Sequence, residues 1–282
     1  MSSKNHKLNR RKFLLTLGGM GVATSGYGYF ESDWLKLSRQ EIPIGPDGAS
    51  PVKLLHLSDL HASNFFPLDR IEEAIDLGLA EHPDFICVTG DYINSTLEDK
   101  DDYIKLLSKL SSAAPTYASL GNHDGGHWSA HRDGYSTPEQ VCNLLAAAKL
   151  KLLRNSGERV VVGKRAFRLI GLGDPWANDF DAKKAFDSVP NGGIPTIILS
   201  HNPDTKDDLA NYEWKLMLSG HTHGGEVSIP LLGEPFAPVK DKRFIAGLYF
   251  WNNRWLHITK GIGSVLHMRF NCRPEVSLLT LT

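Results

Sequence analysis

Short apolar runs alternate with helical patterns through the first half of this 282-residue chain. Strand-like runs begin at Val52, Phe85 and Thr116, and the residues between them, 68–80 and 103–110, repeat apolar side chains at helical spacing. Strand–helix–strand repetition of this kind predicts an α/β sheet with helices packed outside it.

The second half of the chain is richer in strands. Residues 138–148 form a third helical pattern that Thr137 is placed to cap, and Gly163-Lys164 between two apolar runs predicts a β-hairpin. Further runs of strand length cover residues 196–199, 216–218, 244–250, 254–259 and 276–281. Two facing mixed sheets with helices outside them accommodate both halves in one domain, predicted over residues 51–282.

Polar side chains follow five of the predicted strands at the point where each strand ends. In chain order these segments are Ser58-Asp59-Leu60-His61, Thr89-Gly90-Asp91, Gly121-Asn122-His123-Asp124, Ser200-His201-Asn202 and Ser219-Gly220-His221-Thr222-His223. Ligands of open α/β sheets bind outside the carboxyl ends of the strands. We therefore expect these five segments to converge on one site.

Each segment taken singly has a simpler explanation. Asp59 and Asp91 are typical turn or capping residues, and His123 beside Asp124 is typical of a locally hydrogen-bonded loop pair. Five such segments in succession favour a metal site instead. Carboxylate, imidazole and amide oxygen suit Mn, Fe or Zn, and the three scattered cysteines offer no thiolate set. Two ions about 3.5–4 Å apart need a shared carboxylate, for which Asp91 is the candidate because it stands alone after Gly90.

The ordered set of motifs resembles that of the calcineurin-like metallophosphoesterases. The residues that carry the resemblance are Asp59-x-His61, Gly90-Asp91, Gly121-Asn122-His123-Asp124, His201 and Gly220-His221-x-His223. It extends over residues 52–282 and implies a four-layer α/β/β/α sandwich of two mixed sheets flanked by helices. It also implies two divalent metal ions, which we expect to be Mn, Fe, Zn or Mg.

The resemblance further implies a role for each residue. One metal would be held by Asp59, His61, Asp91 and His223, and the other by Asp91, Asn122, His201 and His221. His123 would be the acid that protonates the leaving group, with Asp124 orienting its ring, because a metal-bound histidine cannot also shuttle a proton with that nitrogen. One departure is Glu226, where many members carry Gln, and it leaves substrate contacts open.

The activity so implied is that of a phosphoric ester hydrolase, in which a water activated by two metals attacks phosphorus. We expect a phosphodiesterase. One alternative is a pyrophosphatase acting on a lipid-linked or UDP-sugar lipid A precursor, and another is a non-catalytic metal-binding protein of the cell envelope.

Substrate contacts are predicted in the loop over residues 125–136, which carries His127, Trp128, His131 and Arg132. Arg269 and Arg273 are either partners for a phosphate group or plain surface charges. The net charge of −1 offers no basic footprint for nucleic acid. The expected partner is a small-molecule or lipid phosphoester.

The first residues of the chain differ from the rest. Lys4, Lys7, Arg10, Arg11 and Lys12 precede an apolar, glycine-rich run over residues 13–23, which resembles a twin-arginine export signal. We expect residues 1–35 to be this signal or a membrane tether, and residues 36–50 to be a linker. Together with residues 230–238, 241–243 and 271–275, this head is similar to a phosphodiesterase branch of the family.

The expected location is the periplasm or the outer face of the cytoplasmic membrane, reached through the twin-arginine machinery. A basic amphipathic tail or weak anchor on a cytoplasmic, membrane-associated protein is the alternative. The apolar run is shorter than the ~20 residues that a spanning helix needs.

Overall fold

A computed structural model describes residues 26–46, 48–64, 66–97, 100–264 and 267–282. The predictions for the paired arginines and the apolar run over residues 13–23 lie outside these ranges. In the part of the chain that is described, no helix has the length and apolar character needed to cross a membrane.

Two mixed six-stranded sheets form the centre of the described structure. The first has the strand order β1-β12-β2-β3-β4-β5, in which β12 runs antiparallel to β2 and the other neighbours are parallel. Its strands are β1 (Lys36–Ile42), β2 (Val52–Leu57), β3 (Phe85–Thr89), β4 (Thr116–Ser119), β5 (Lys151–Leu152) and β12 (Glu275–Leu281). All five residues of β3 are buried, as expected for a central parallel strand covered on both faces.

The second sheet has the order β10-β11-β9-β8-β7-β6, with parallel pairing at its centre and an antiparallel pair at each edge. Its strands are β6 (Ser156–Val162), β7 (Arg165–Gly171), β8 (Thr196–Leu199), β9 (Leu216–Ser219), β10 (Gly247–Trp251) and β11 (Arg254–Ile258). The predicted hairpin is confirmed, since Gly163 and Lys164 join β6 to β7.

Helices cover the outer face of each sheet. They are α1 (residues 26–32), α2 (Leu68–Leu79), α3 (Lys100–Ala113), α4 (His127–Ala130), α5 (Glu139–Ala147), α6 (Ala182–Asp187) and α7 (Thr205–Asp208). Apolar residues of α2, α3 and α5 pack against the first sheet, and Phe186 of α6 packs with Trp214 and Met217 outside the second. A central cluster that includes Leu54, Phe85 and Leu216 fills the space between the sheets. The predicted four-layer α/β/β/α sandwich is confirmed.

Three local predictions were wrong. The segment 36–50 was expected to be a linker, but Lys36–Ile42 is the edge strand β1, paired in parallel with β12. Thr137 does not cap α5, whose N-cap is Pro138 without a side-chain hydrogen bond. The strand expected to begin at Phe244 begins at Gly247, because Phe244 packs outward with Phe186 and Trp214.

The segment ahead of β1 packs beside the loop that precedes β12. The Tyr27 ring contacts the Phe270 ring edge-on at 5.6 Å, and the Gly28 carbonyl accepts a hydrogen bond from the Arg269 N–H at 3.0 Å. The Glu31 carboxylate accepts one from the Asn271 N–H at 2.7 Å. Residues 26–31 therefore contact the body of the protein within the stretch expected to be a signal or tether.

Candidate metal centre

The loops that follow β2, β3 and β4 in the first sheet meet those that follow β8 and β9 in the second. All seven predicted metal ligands are buried there. Six of them form two groups that share Asp91, and the seventh, Asn122, lines the same pocket. Sequence positions 59 and 223 thus meet because each follows a strand whose carboxyl end points to the same edge. The predicted convergence of the five segments is what the structure shows.

The first group consists of Asp59, His61, Asp91 and His223, whose ligand atoms all lie within 4.8 Å of one another. His223 Nε2 is 3.3 Å from Asp59 Oδ1, and His61 Nε2 is 3.6 Å from Asp91 Oδ2. The Nε2 atoms of His61 and His223 face each other at 3.0 Å. Two imidazole nitrogens and two carboxylates converging on one point form a donor set that fits a divalent cation.

The second group consists of Asp91, His201 and His221, again within 4.8 Å. His201 Nε2 is 3.1 Å from Asp91 Oδ2 and 3.3 Å from His221 Nδ1. Asn122 lines the same pocket as Asp91 and His221, and its buried Oδ1 has no hydrogen-bond partner among the described residues. A buried amide oxygen without a partner is costly, and coordination to a metal in this group would satisfy it.

The backbone at this site is held in an unusual conformation. Five predicted ligands have left-handed φ angles: Asp59 at 54°, His61 at 48°, Asp91 at 53°, His221 at 67° and His223 at 51°. Non-glycine residues in this region cost about 1–3 kcal/mol each and cluster at functional sites.

Glycine permits the close approach of two of these loops. A Cβ at Gly90, whose φ is +83°, would lie 2.7 Å from Gly121 Cα. A Cβ at Gly121 would overlap the Asp91 carboxylate. Both positions therefore require glycine for the β3 and β4 loops to meet.

Burial and charge pairing together set the protonation of the site. Burial raises the pKa of Asp59 to about 6 and lowers the pKa of His221 to about 3. Burial also opposes charge on Asp91 and His201, but their mutual attraction outweighs it, so the pKa of Asp91 falls well below and that of His201 rises well above the ordinary value. His221 is thus neutral near pH 7, which is the form that binds metal.

His123 lies at the mouth of the site. Its Nδ1 is 2.5 Å from the Asn94 carbonyl oxygen and must donate to it, so Nε2 faces the metal groups, 4.0 Å from Asp91 Oδ2. The ring packs between His61, at 4.6 Å, and Trp128, at 4.3 Å. This geometry leaves Nε2 as the atom that can exchange a proton with a bound substrate.

Asp124 does not orient the His123 ring, so that prediction was wrong. Its Oδ2 accepts hydrogen bonds from the backbone N–H groups of Asp91 and Gly121 at 2.9 and 2.8 Å, and its Oδ1 accepts one from Tyr92 at 2.7 Å. The carboxylate therefore fixes the backbone that presents Asp91. The Asn94 carbonyl takes the role that had been assigned to Asp124.

The two arginines are also placed differently from either expectation. Arg269 is fully buried and donates to the carbonyl oxygens of His223, Lys260 and Gly263 at 3.3, 2.8 and 2.5 Å. Arg273 donates to the carbonyl oxygens of Trp34 and Leu35, each at 2.8 Å. Both guanidinium groups bind backbone carbonyls, so neither is a phosphate partner or a plain surface charge.

The structure adds two site residues that the sequence reasoning missed. Asp174 is buried after β7, and its Oδ1 accepts the N–H groups of Trp176 and Ala177 at 2.7 and 3.2 Å. The Trp176 ring then stands perpendicular to the His221 ring at 4.4 Å. The signal was present, because Asp174 adds a sixth strand end that is followed by a carboxylate or imidazole.

A pocket of about 200 Å³ opens above the two groups. Its floor includes Asp91 and Asn122, and its walls include the apolar side chains of Trp128, Trp176 and Phe236. Trp128 confirms that the loop over residues 125–136 reaches the pocket. Among the described lining residues there is no lysine or arginine, so a substrate phosphate would have metal ions as its main cationic partners.

Comparison with known proteins agrees with this geometry. The calcineurin-like phosphoesterase family model matches residues 52–225. Phosphodiesterase YaeI from Escherichia coli is 38% identical over 278 residues, which cover 97% of this chain and 99% of that protein. UDP-2,3-diacylglucosamine pyrophosphatase LpxG from Chlamydia muridarum is 26% identical over 304 residues, which cover 89% of this chain and 90% of that protein.

A solved structure supports the fold. The sulfate thiohydrolase SoxB from Thermus thermophilus superposes with a TM-score of 0.50 at 13% identity, over 84% of this chain and 57% of that one. The family uses dinuclear divalent metal centres, and the buried Asp and His groups fit such a centre. The chain therefore belongs to the calcineurin-like phosphoesterase family and is a metal-dependent phosphoric ester hydrolase.

Proposed function

We propose that the protein is a phosphodiesterase. The observation that carries this proposal is the position of Asp91 Oδ2, which lies 3.1 Å from His201 Nε2 and 3.6 Å from His61 Nε2. One carboxylate oxygen thus faces both groups, as a centre with a bridging ligand requires. The relative that is 38% identical is named a phosphodiesterase, which supports a diester as the substrate.

The proposed ligand sets follow the two groups. Asp59, His61, Asp91 and His223 hold one divalent ion, and Asp91, Asn122, His201 and His221 hold the other. Two such ions supply an activated water and Lewis-acid stabilisation of charge on the phosphoryl oxygens. The apolar walls formed by Trp128 and Trp176 receive a substituent of the phosphorus and exclude bulk water from it.

His123 is the proposed leaving-group acid. The Asn94 carbonyl holds Nδ1 as a donor, so the acidic form is the imidazolium, which presents Nε2–H to the pocket. A proton delivered there neutralises the alkoxide as it departs, an effect that typically contributes 10²–10⁴-fold. Asp124 acts through the backbone N–H groups of Asp91, Tyr92 and Gly121 and is a positioning residue.

Turnover of an activated diester tests the proposal. Protein loaded with manganese is expected to hydrolyse bis(p-nitrophenyl) phosphate faster than p-nitrophenyl phosphate. Asp91→Asn is expected to lower turnover by at least ~100-fold, since even the outer partners of metal ligands are typically worth 10–100-fold. Asp101→Asn, an exposed change on α3, is the matched control and should retain parental turnover.

Two results would overturn the phosphodiesterase assignment. One is the absence of diester turnover by the metal-loaded parent, and the other is undiminished turnover in Asp91→Asn.

A lipid-linked pyrophosphate is the second candidate substrate. The apolar walls of Trp176 and Phe236 favour it, and the 26% identical relative is named a pyrophosphatase of an acylated UDP-sugar. An external location would oppose it, because nucleotide-activated lipid precursors are cytoplasmic. A panel of monoesters, diesters and pyrophosphates assayed on one preparation separates the two candidates by relative kcat/KM.

A non-catalytic metal-binding protein of the envelope would have the same metal content as an enzyme. His123→Ala distinguishes them, because only an enzyme loses turnover while it retains its metal.

We further propose that residues 1–35 direct export by the twin-arginine route to the periplasm or the outer face of the cytoplasmic membrane. Arg10 and Arg11, followed by the apolar run over residues 13–23, support this proposal. Arg10→Lys/Arg11→Lys should leave the protein in the cytoplasm, as measured by cell fractionation. Unchanged fractionation would favour a cytoplasmic protein held at the membrane by its head.

A further inference from the structure

Exposed apolar side chains concentrate in three segments, one of which reaches the metal pocket. Ten large apolar residues are exposed in the described structure, and all but Val161 and Phe250 lie in three segments: residues 27–34, residues 231–236 and Met268. Leu231 is 106% exposed, Leu232 76% and Phe236 71%. Surfaces of this kind mark interaction sites for protein or membrane.

The three segments are connected by contacts between them, and we call the exposed apolar side chains that they carry the apolar face. Tyr27 packs on Phe270 at 5.6 Å, so α1 lies beside the loop that contains Met268. The Phe270 N–H donates to the Glu226 carbonyl oxygen at 2.9 Å, and the Ser228 N–H donates to the Phe270 carbonyl oxygen at 2.8 Å. These bonds connect the loop of Met268 to the segment between Glu226 and the turn that carries Leu231. Glu226 lines the pocket, and the turn begins at Ile229, one residue after Ser228.

The turn that presents Leu231 costs free energy through its backbone conformation and through the exposure of an apolar side chain. The Ile229 carbonyl accepts a hydrogen bond from the Leu232 N–H at 3.0 Å, with Pro230 second and Leu231 third in the turn. Leu231 has a φ of 71°, a conformation for which this turn position favours glycine or asparagine. Among the described residues nothing covers this leucine, so the described fold does not offset the cost of its conformation and exposure.

A lipid bilayer is the occupant that the neighbouring sequence favours. The apolar run over residues 13–23 leads directly into α1, one border of the apolar face, and a head anchored in a membrane would bring that face to it. Phe236 is both exposed and part of the pocket wall, so the contact reaches the mouth of the site.

We propose that the apolar face docks on a lipid bilayer, with Leu231 and Leu232 inserted and the pocket mouth at the level of the headgroups. This contact differs from any anchoring to the membrane by residues 1–35, and it does not depend on catalysis. Its consequence for catalysis, a preference for phosphoesters carried by membrane amphiphiles, rests on the proposed function.

A fluorescent probe tests insertion directly in the full-length protein. Leu231→Cys and, as control, Val161→Cys are labelled with an NBD group in a Cys142→Ser background, since Cys87 and Cys272 are buried. Vesicles of phosphatidylethanolamine and phosphatidylglycerol should shift the emission at 231 to the blue and allow quenching by nitroxide lipid there. The probe at 161 should report water throughout.

Matched charge variants measure the energetic contribution. Leu231→Glu/Leu232→Glu should lower the fraction of protein that sediments with these vesicles by about tenfold or more, from the transfer free energy of a leucine side chain. Val161→Glu/Phe250→Glu changes exposed apolar side chains on the edge strands β6 and β10, outside the apolar face, and should sediment like the parent. Both double variants should hydrolyse a soluble diester at the parental rate.

Several outcomes would overturn docking: no vesicle binding by the parent, equal sedimentation of both double variants, or an aqueous probe at 231 on bound protein. Blue-shifted emission at 231 without vesicles would also overturn it, because the chain itself or a second copy would then cover the turn. Failure of the parent on the soluble diester would instead count against the proposed function, since the probe experiment involves no turnover.

Discussion

Replacing Asp124 with Asn is expected to destabilise the loop that carries Asp91. The carboxylate is fully buried and accepts three backbone N–H groups, from Asp91, Tyr92 and Gly121, at 2.7–2.9 Å. An amide has only one acceptor oxygen, so in either orientation its NH₂ group faces at least one backbone N–H. Burial raises the pKa of Asp124 to about 8, so at a pH above 8 the substitution preserves shape and removes both a charge and one acceptor.

The magnitude follows from these contacts. A hydrogen bond to a charged group contributes about 1.5–3 kcal/mol, and a buried donor left without a partner costs about 1–3 kcal/mol. We therefore expect the free energy of unfolding to fall by about 2–5 kcal/mol, a large share of the roughly 5–15 kcal/mol typical of a folded protein. The affinity for metal should fall as well, because Asp91 is presented by the same loop.

Urea unfolding of the metal-free protein, followed by circular dichroism, measures the first effect, and metal content after dialysis measures the second. The exposed change Asp101→Asn, in the first turn of α3, serves as control and should lie within about 1 kcal/mol of the parent. If Asp124 instead oriented His123, Asp124→Asn would shift the pH profile of kcat and leave stability unchanged. That result would refute the structural role that the three N–H contacts assign to Asp124.

The other predictions concern the proposed acid, the metal groups and the buried His257 of β11. His123→Ala should lower kcat by about 10²–10⁴-fold while the protein retains its metal by elemental analysis; parental turnover would exclude His123 as the acid. Removing metal with a chelator should lower Tm and restoring manganese should raise it, by about 2.7 kcal/mol of stability at a hundred times Kd; an unchanged Tm would contradict a metal centre. Burial lowers the pKa of His257, in β11, to about 4. The unfolded chain therefore binds this proton first, and the contribution of His257 to stability should fall by about 3 kcal/mol as pH drops from 6.5 to 4. His257→Gln should flatten that dependence in urea titrations of the metal-free protein, and an identical slope would refute it.

The strands that position the site could be predicted because their sequences are locally unambiguous. The runs at Phe85 and Thr116 are buried along their whole length, and the polar residue after each marks the strand end. Strand β1 could not be predicted in this way. Only Ile42 of its seven residues is buried, so an edge strand with this exposure has the composition of a linker.

Side-chain pairing was harder to predict than position. His123 and Asp124 are adjacent in sequence, which suggested a pair, but their side chains point to different partners, Asn94 and the N–H groups of Asp91, Tyr92 and Gly121. Both partnerships depend on the β3 loop crossing the β4 loop in space. No local pattern encodes that crossing.

The carboxylates of Asp59 and Asp91 stabilise the backbone of the site in addition to facing the metal groups. Five ligands have a left-handed backbone conformation, which costs free energy. At about 1–3 kcal/mol each, these conformations together cost at least about 5 kcal/mol, which other contacts must offset. Asp59 Oδ1 accepts the His221 N–H at 3.1 Å, and Asp91 Oδ1 accepts the His123 N–H at 2.9 Å. The same side chains that face the metal groups therefore stabilise the strained loops before any ion binds.

Changing one of these carboxylates thus removes a ligand and a structural contact together, and lost activity would not identify which was responsible. His123 is different, because its side chain hydrogen-bonds to the Asn94 carbonyl and packs on neighbouring rings, and its backbone is not left-handed. Truncating it removes the proton donor and leaves both metal groups and their loops in place. For this reason His123→Ala, rather than any ligand substitution, is the variant that separates catalysis from metal binding.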